Sequence, residues 1–303
     1  MDLTRIDTER SNPATAKIDR ESTLGIVSLI NAEDHLVAPA VKKVLPQIAE
    51  AVDLIYGQLS QGGRLVYLGS GTSGRLGVLD AVECPPTYGV SADLVMGLMA
   101  GGPSAFVRAK EGAEDNEAAG AEDLKQISFS AKDALVGIAA SGRTPYVLGG
   151  MAYAQALGAP VIALTCTANA ELSRYAKVTI APLCGPEAIT GSTRMKCGTA
   201  QKMVLNMLST AVMVKLGKVY GNLMVDMKAS NHKLMQRAIS IVKQAAGAAD
   251  SAAAEMLHQC GGSCKIAIVR IKCGVSTEEA AAALERSGGH ISKALKECGV
   301  MDR

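Results

Sequence analysis

The chain has 303 residues, 48% of them hydrophobic and 20% charged, and its 31 basic and 29 acidic side chains leave a formal charge of +2. That much apolar material excludes long-range disorder and suits one large domain or two smaller ones, while balanced charge scattered along the chain excludes a face for polyanions such as nucleic acid. Two Phe, seven Tyr and no Trp argue against grooves that hold sugars or single strands by aromatic stacking, so a ligand must be held in another way.

The N-terminal stretch MDLTRIDTERSNPATAKIDRES is polar and has no apolar h-region, and no continuous apolar run approaches the ~18 residues of a membrane span. A cytoplasmic protein is expected. From Val37 to Leu59 the spacing predicts a helix, with Leu45, Ile48, Val52, Ile55 and Leu59 on one stripe and Gln61-Gly62-Gly63 closing it. Short apolar runs then alternate with helical stretches. The runs are Arg64–Leu68, Ala92–Leu98, Ala134–Ala139, Pro160–Leu164 and Lys177–Ala181, mostly apolar without strict alternation, as strands buried on both faces of a parallel sheet are. Thr72–Glu83, Pro103–Leu124 and Tyr146–Leu157 read as the helices between them. This order predicts a doubly wound α/β parallel sheet with right-handed crossovers and a ligand site in the loops at the carboxyl ends of the strands.

Thr193–Leu216 and the Ala-rich Leu234–Leu257 read as further helices. The run IAIVRIK that follows has strand propensity, but its neighbours are helical: Ser276 and Glu279 form a capping-box pattern, and Gly288-Gly289 separates two short helices. A small α-helical C-terminal portion is favoured over an extra sheet. The eight cysteines are dispersed, without CxxC or a His at zinc-ligand spacing, and read as reduced, mostly buried thiols with no metal role.

Three segments are candidates for holding an anion. The first strand runs into Gly69-Ser70-Gly71-Thr72-Ser73-Gly74-Arg75, where glycines allow close approach, hydroxyls donate, and the next helix begins with its free N–H groups and positive dipole end. The letters also satisfy GxGxxG, but the second strand ends at Met96-Gly97-Leu98 without the carboxylate a dinucleotide site wants, so phosphate or polyol is favoured. The third strand ends in Ser141-Gly142-Arg143-Thr144-Pro145, a second hydroxyl-rich turn opening a helix. The third segment, Gly185 to Lys202, gathers Glu187, Ser192, Arg194 and Lys196 before a long helix. Two hydroxyl turns after two parallel strands point to a phosphorylated small molecule.

Together the segments LGSGTSGRLGVLDAVECPPTYG, AGG, KEGAEDNE, GIAASGRTPYV and GPEAITGSTRMKCGTAQK resemble the sugar isomerase (SIS) domain family and, within it, the N-acetylmuramic acid 6-phosphate etherases. The likeness runs from about Ile18 to Leu295, and the last segment is shared by etherases and the related glucokinase regulatory proteins. It departs from the pattern at Ala139, where the phosphate turn often has Ser, at Cys197, where Ala or Ser is expected, and at Arg270, which interrupts an apolar run. The resemblance implies an N-terminal arm (1–36), an SIS phosphosugar-binding domain (37–225) and a C-terminal helical region (226–303), in a homodimer. It also implies an enzyme of cell-wall sugar recycling that splits the C3 ether between D-lactate and the sugar, without a metal or organic cofactor.

By that resemblance Glu83, in VECPP, is the proton donor to departing lactate, and Glu114, in GAEDNE, is the candidate base for the C2 proton. Ser70, Gly71, Thr72, Ser73, Ser141, Gly142, Arg143, Thr144, Glu187, Ser192 and Arg194 are the expected substrate-binding residues. Arg194 and Lys196 are the candidates for receiving the lactate carboxylate, and His232 is a candidate for ring opening. Pro85 and Pro86 should stop the first helix near Glu83, about 16 Å from the Gly69–Ser73 loop. One sugar phosphate hardly spans that helix, so each site is expected to combine residues of two subunits. The rival reading is a non-catalytic phosphosugar-binding regulator, but such proteins carry a DNA-binding headpiece or a second SIS domain, for which this chain has no room.

Overall fold

The computed structural model describes residues 7–227 and 231–300. Its residues form two compact units, one running to Val82 and resuming at Ala92–Ser209, the other comprising Glu83–Ser91 and the chain from Thr210.

In the first unit, α1 (Thr23–Asp34), α2 (Val37–Lys42) and α3 (Leu45–Leu59) precede β1 (Leu65–Gly69). The single helix expected from Val37 to Leu59 is interrupted because Pro46 has no N–H for the Lys42 carbonyl; α3 restarts with that proline in its first turn. Then come α4 (Gly71–Tyr88), β2 (Val95–Met99), α5 (Ser104–Val107), α6 (Glu117–Gln126), β3 (Ala134–Ile138), α7 (Pro145–Ala156), β4 (Val161–Leu164), β5 (Val178–Ile180) and α8 (Lys196–Lys215), the last residues of α4, from Glu83, and of α8, from Thr210, being counted with the second unit. The sheet is wholly parallel in the order β2-β1-β3-β4-β5. Every residue of β1, β3 and β4 is buried, which explains why these strands show no polar–apolar alternation. The predicted strands are therefore present, shifted by no more than a few residues at their ends.

Two of the helices predicted between the strands differ. Pro103–Leu124 is not one helix: Gly112 adopts φ +75°, and the Asn116 side chain accepts the Ala119 N–H to start α6 afresh, which leaves Arg108–Asn116 as an open loop with one 3-10 turn. Conversely, α4 does not stop at Glu83 but continues through Pro85 and Pro86 to Tyr88. The two prolines forfeit helical N–H bonds, yet packing overrides the loss. Cys84 and Tyr88 are buried, Tyr88 bonds Thr210 through its hydroxyl (3.2 Å), and the Gly89 N–H closes the last turn on the Pro85 carbonyl.

Polar groups fix the first unit's layers. Buried Asp80 of α4 accepts from Tyr67 of β1 (2.8 Å) and from Asn206 (2.6 Å) and Ser209 (3.2 Å) of α8. Asp133, just before β3, takes Arg64, just before β1, in a two-pronged grip at 3.0 and 2.9 Å. The arm residues Asn12 and Thr15 donate to the Pro186 and Ala188 carbonyls. Thr23–Lys42 is long and apolar enough to cross a membrane by length and composition; here it is two helices, and Glu33 ends one of them in an ion pair with buried Lys196.

The second unit is helical as expected, with α9 (His232–Ala246), α10 (Asp250–Gln259), α11 (Cys264–Cys273), α12 (Thr277–Arg286) and α13 (Ile291–Glu297) around their own apolar core. IAIVRIK lies in α11 and the Ser276–Glu279 capping box is complete. The expected Leu234–Leu257 helix is two, because Gly247 ends α9 at φ +69°. All eight cysteines are free thiols, six of them buried.

Candidate active site

In a sheet ordered 2-1-3-4-5, the chain leaves β1 for β2 on one side and returns to β3 on the other, which opens a crevice at the carboxyl ends of β1 and β3. A cavity of about 340 Å³ lies there, within the range of small-ligand sites. Its floor is the two hydroxyl turns: Ser70, Gly71, Thr72 and Ser73 after β1, and Ala139, Ala140, Ser141 and Thr144 after β3. Both turns open helices, α4 and α7; Thr144 makes no side-chain bond to cap α7, but Pro145 carries no N–H and the Val147 N–H is taken by the Thr144 carbonyl (3.0 Å), so at α7 an anion would meet the Ser141 and Thr144 hydroxyls rather than a row of free backbone donors. The hydroxyl of Ser73 donates to Gln201 (2.9 Å), so a ligand would meet its backbone or its lone pairs.

Gly71 holds φ +52° with open space where a Cβ would stand. Gly142 holds φ +68°, and a Cβ there would come within 2.3 Å of Ala170. Gly142 is thus required by the turn rather than by contact with the cavity, which it does not line. Arg143 also stands off, 4.0 Å from the Glu171 carboxylate.

The rim comes from the open loop after β2, which supplies Lys110, Glu111 and Glu114, with Arg75 of α4, Glu9 of the arm and Thr193 completing it. Glu114 is exposed in the single chain. Glu83 is exposed too and does not line the cavity; twelve residues beyond Gly71 on α4, it stands about 18 Å along that helix from the phosphate turn. His232 is exposed at the first position of α9. Among the described residues no group of three His, Cys, Asp or Glu is arranged to hold a metal ion.

The third predicted segment is mainly architectural. Glu187 is fully buried, and its two carboxylate oxygens accept the Lys196 and Cys197 N–H groups (both 2.9 Å), serving as a remote cap for α8. Lys196 is buried against Glu33 at 2.5 Å, which removes it as a receiver for a substrate carboxylate. Ser192 and Arg194 do not line the cavity, although Thr193 between them does. Burial raises the Cys184 thiol to about 12, with Cys197 adding to the shift. These thiols stay protonated near neutrality.

Five rim residues were not among the expected site residues. Lys110 and Glu111 lie in the same motif as Glu114, Arg75 closes the first hydroxyl-rich segment and Thr193 lies in the third, so all four were legible as neighbours of expected residues. Glu9 had no signal, since only tertiary packing brings the arm to the cavity.

Family models for the SIS domain match residues 117–211, for the glucokinase regulatory protein N-terminal SIS domain residues 47–155, and for that protein's C-terminal lid domain residues 221–261. The N-acetylmuramic acid 6-phosphate etherase of Clostridium beijerinckii (strain ATCC 51743 / NCIMB 8052) is 52% identical over 98% of both chains, and etherase 1 of Vibrio cholerae serotype O1 is 53% identical over 98% of this chain and 99% of its own. The chain belongs to the N-acetylmuramic acid 6-phosphate etherase family. Among solved structures, a phosphosugar isomerase candidate from Bacteroides fragilis superposes with a TM-score of 0.51 at 18% identity, covering 66% of this chain and 95% of its own. At that identity the likeness concerns the fold, which agrees with the sheet order of this etherase-family chain.

Proposed function

We propose that the protein is a carbon–oxygen lyase that cleaves the C3 ether of N-acetylmuramic acid 6-phosphate, releasing D-lactate and N-acetylglucosamine 6-phosphate. The observation that carries this reading is a single cavity at the sheet's switch point with two hydroxyl turns and two helix starts on its floor and Glu114 on its rim. Full-length identity of 52% to an etherase supports the same chemistry over a purely regulatory role.

An alkoxide is a poor leaving group, but in the ring-opened sugar the C2 proton is acidified by the neighbouring aldehyde. A base takes that proton, the C2–H electron pair forms the C2–C3 double bond, and the C3–O bond breaks as an acid protonates the lactate oxygen. Water then adds to C3 and a proton returns to C2, the two groups exchanging roles. In this assignment Glu114 is the base at C2 and Glu83 the acid at the lactate oxygen. The acid must be protonated near neutral pH, which requires desolvation or a second carboxylate nearby. In the single chain both groups are exposed, so the proposal includes a homodimer in which Glu83 of one subunit completes the cavity of the other. Ser70, Thr72, Ser141 and Thr144 hold the phosphate. A cytoplasmic role in recycling peptidoglycan amino sugars, with no nucleic-acid or membrane partner, belongs to the same reading.

Incubation of the purified protein with N-acetylmuramic acid 6-phosphate should release D-lactate, and Glu114→Gln should reduce the rate at least ~100-fold, as expected for loss of a general base. No D-lactate release at high enzyme concentration would favour the regulator.

A further inference from the structure

The etherase substrate carries two anions, the 6-phosphate and the lactyl carboxylate on the C3 oxygen; the inference that follows rests on the etherase reading. The hydroxyl turns account for the phosphate, and the second anion needs a cation on the rim. Only Arg75 and Lys110 offer one among the residues lining the cavity. Arg75 commits two of its five N–H donors to the Phe106 and Ala105 carbonyls, both at 2.8 Å, which ties its guanidinium to α5. Lys110 donates once, to the Gly101 carbonyl at 2.9 Å, and an ammonium has three N–H donors.

The placement of Lys110 is built into the loop. Gly101 holds φ +85°, and a Cβ there would stand 3.0 Å from the Lys110 Cδ and 3.3 Å from its Cβ, so the stem lies where any other residue's side chain would be. The Lys110 carbonyl accepts the Ala113 N–H (3.4 Å), closing a turn that carries Glu114 onto the same rim. Glu114 is assigned to C2, and the lactyl ether is on the adjacent carbon. Lys110 and Glu114 come from one loop and line one cavity, so a substrate whose C2 meets Glu114 has a cation within the cavity that also holds its C3 substituent. The cations expected from the third segment do not compete, since Arg194 is off the cavity and Lys196 is buried with Glu33.

We propose that Lys110 receives the lactyl carboxylate and makes the site prefer the lactyl-bearing phosphosugar over its lactate-free product. A purely structural Lys110, tying the loop through Gly101, would affect both ligands alike. The experiment compares wild type, Lys110→Met and Lys110→Arg, measuring KM and kcat for N-acetylmuramic acid 6-phosphate and the inhibition constant of N-acetylglucosamine 6-phosphate. Lys110→Met should raise KM for the lactyl substrate about ten- to a hundredfold, the scale of a lost charge-assisted hydrogen bond, and leave the product's inhibition constant within about twofold. Lys110→Arg should recover part of the loss. Equal weakening of both ligands, or no change in either, overturns the assignment of Lys110 while wild-type turnover keeps the etherase reading intact. Absence of D-lactate release by the wild type overturns that reading, and this inference with it.

Discussion

At the residue scale, the two turns use glycine for different reasons, and substitution separates them. At Gly71 a methyl group meets nothing within 4 Å, so Gly71→Ala carries mainly the cost of a left-handed backbone at φ +52°, about 1–2 kcal/mol. At Gly142 the same backbone cost at φ +68° is joined by a Cβ 2.3 Å from Ala170 and 2.9 Å from the Thr165 hydroxyl. Thermal unfolding should place Gly142→Ala well below Gly71→Ala, and equal melting temperatures would contradict the crowding argument. Cysteine reactivity is a second residue-scale consequence. Cys298 is exposed and Cys273 partly so, while the other six thiols are buried, and burial holds Cys264 up at about 11. In the native protein a thiol-alkylating reagent should label Cys298 first, then Cys273, with the remaining six labelled only after denaturation; mass spectrometry of timed samples checks the order.

At the element scale, two ion pairs set where strands and helices begin. Burial pushes the Asp133 carboxyl up, but the Arg64 fork, the Ser130 N–H and the Arg64 charge together bring it below the ordinary carboxylate range. A depressed folded-state pKa contributes stability that is present above the unfolded value of about 3.9 and is lost as pH falls through the folded one. Asp133→Asn should therefore cost about 1–3 kcal/mol at neutral pH and show a shallower loss of stability below about pH 4, measured by urea unfolding across pH. The Glu33–Lys196 pair is the other case: Lys196 is 1% exposed, and Glu33→Ala leaves an ammonium buried without its partner, a change on the order of 3–5 kcal/mol. Replacing both residues with Met should be milder than Glu33→Ala alone. Neither pair was legible in the sequence, because Arg64 and Asp133, or Glu33 and Lys196, meet only once the sheet and helices are packed. The strands were legible because burial on both faces leaves a continuous apolar run. The extent of α4 was not, since Cys84, Tyr88 and Thr210 hold two prolines in a helix that local propensity would end. Glu187 was misread for a related reason: a carboxylate before a helix looks the same whether it faces a ligand or caps the helix, and only its complete burial distinguishes the two.

At the scale of the whole molecule, the question is how two carboxylates on the two sides of one reaction come together. The phosphate turns and the Glu114 loop were readable as motifs and meet at one cavity, whereas Glu83 stands some three turns along α4 from the turn that opens it. A helix is too stiff to fold back on itself, so the composite site proposed above predicts a particular arithmetic of subunits. Glu83→Gln removes the acid, and Ser141→Asp places a charge where the phosphate should lie; each homodimer should be inactive. In a mixed dimer one site combines both defects, while the other takes Glu83 from one subunit and an unaltered Ser141 turn from its partner. An equal mixture exchanged at random should regain about a quarter of wild-type activity, since about half the dimers are mixed and each has one intact site. Were each site built from a single chain, every site in the mixed dimer would retain one defect and D-lactate release would stay at the level of the parents. Differently tagged subunits, purified together, make the comparison on verified mixed dimers, where the composite site predicts about half of wild-type activity.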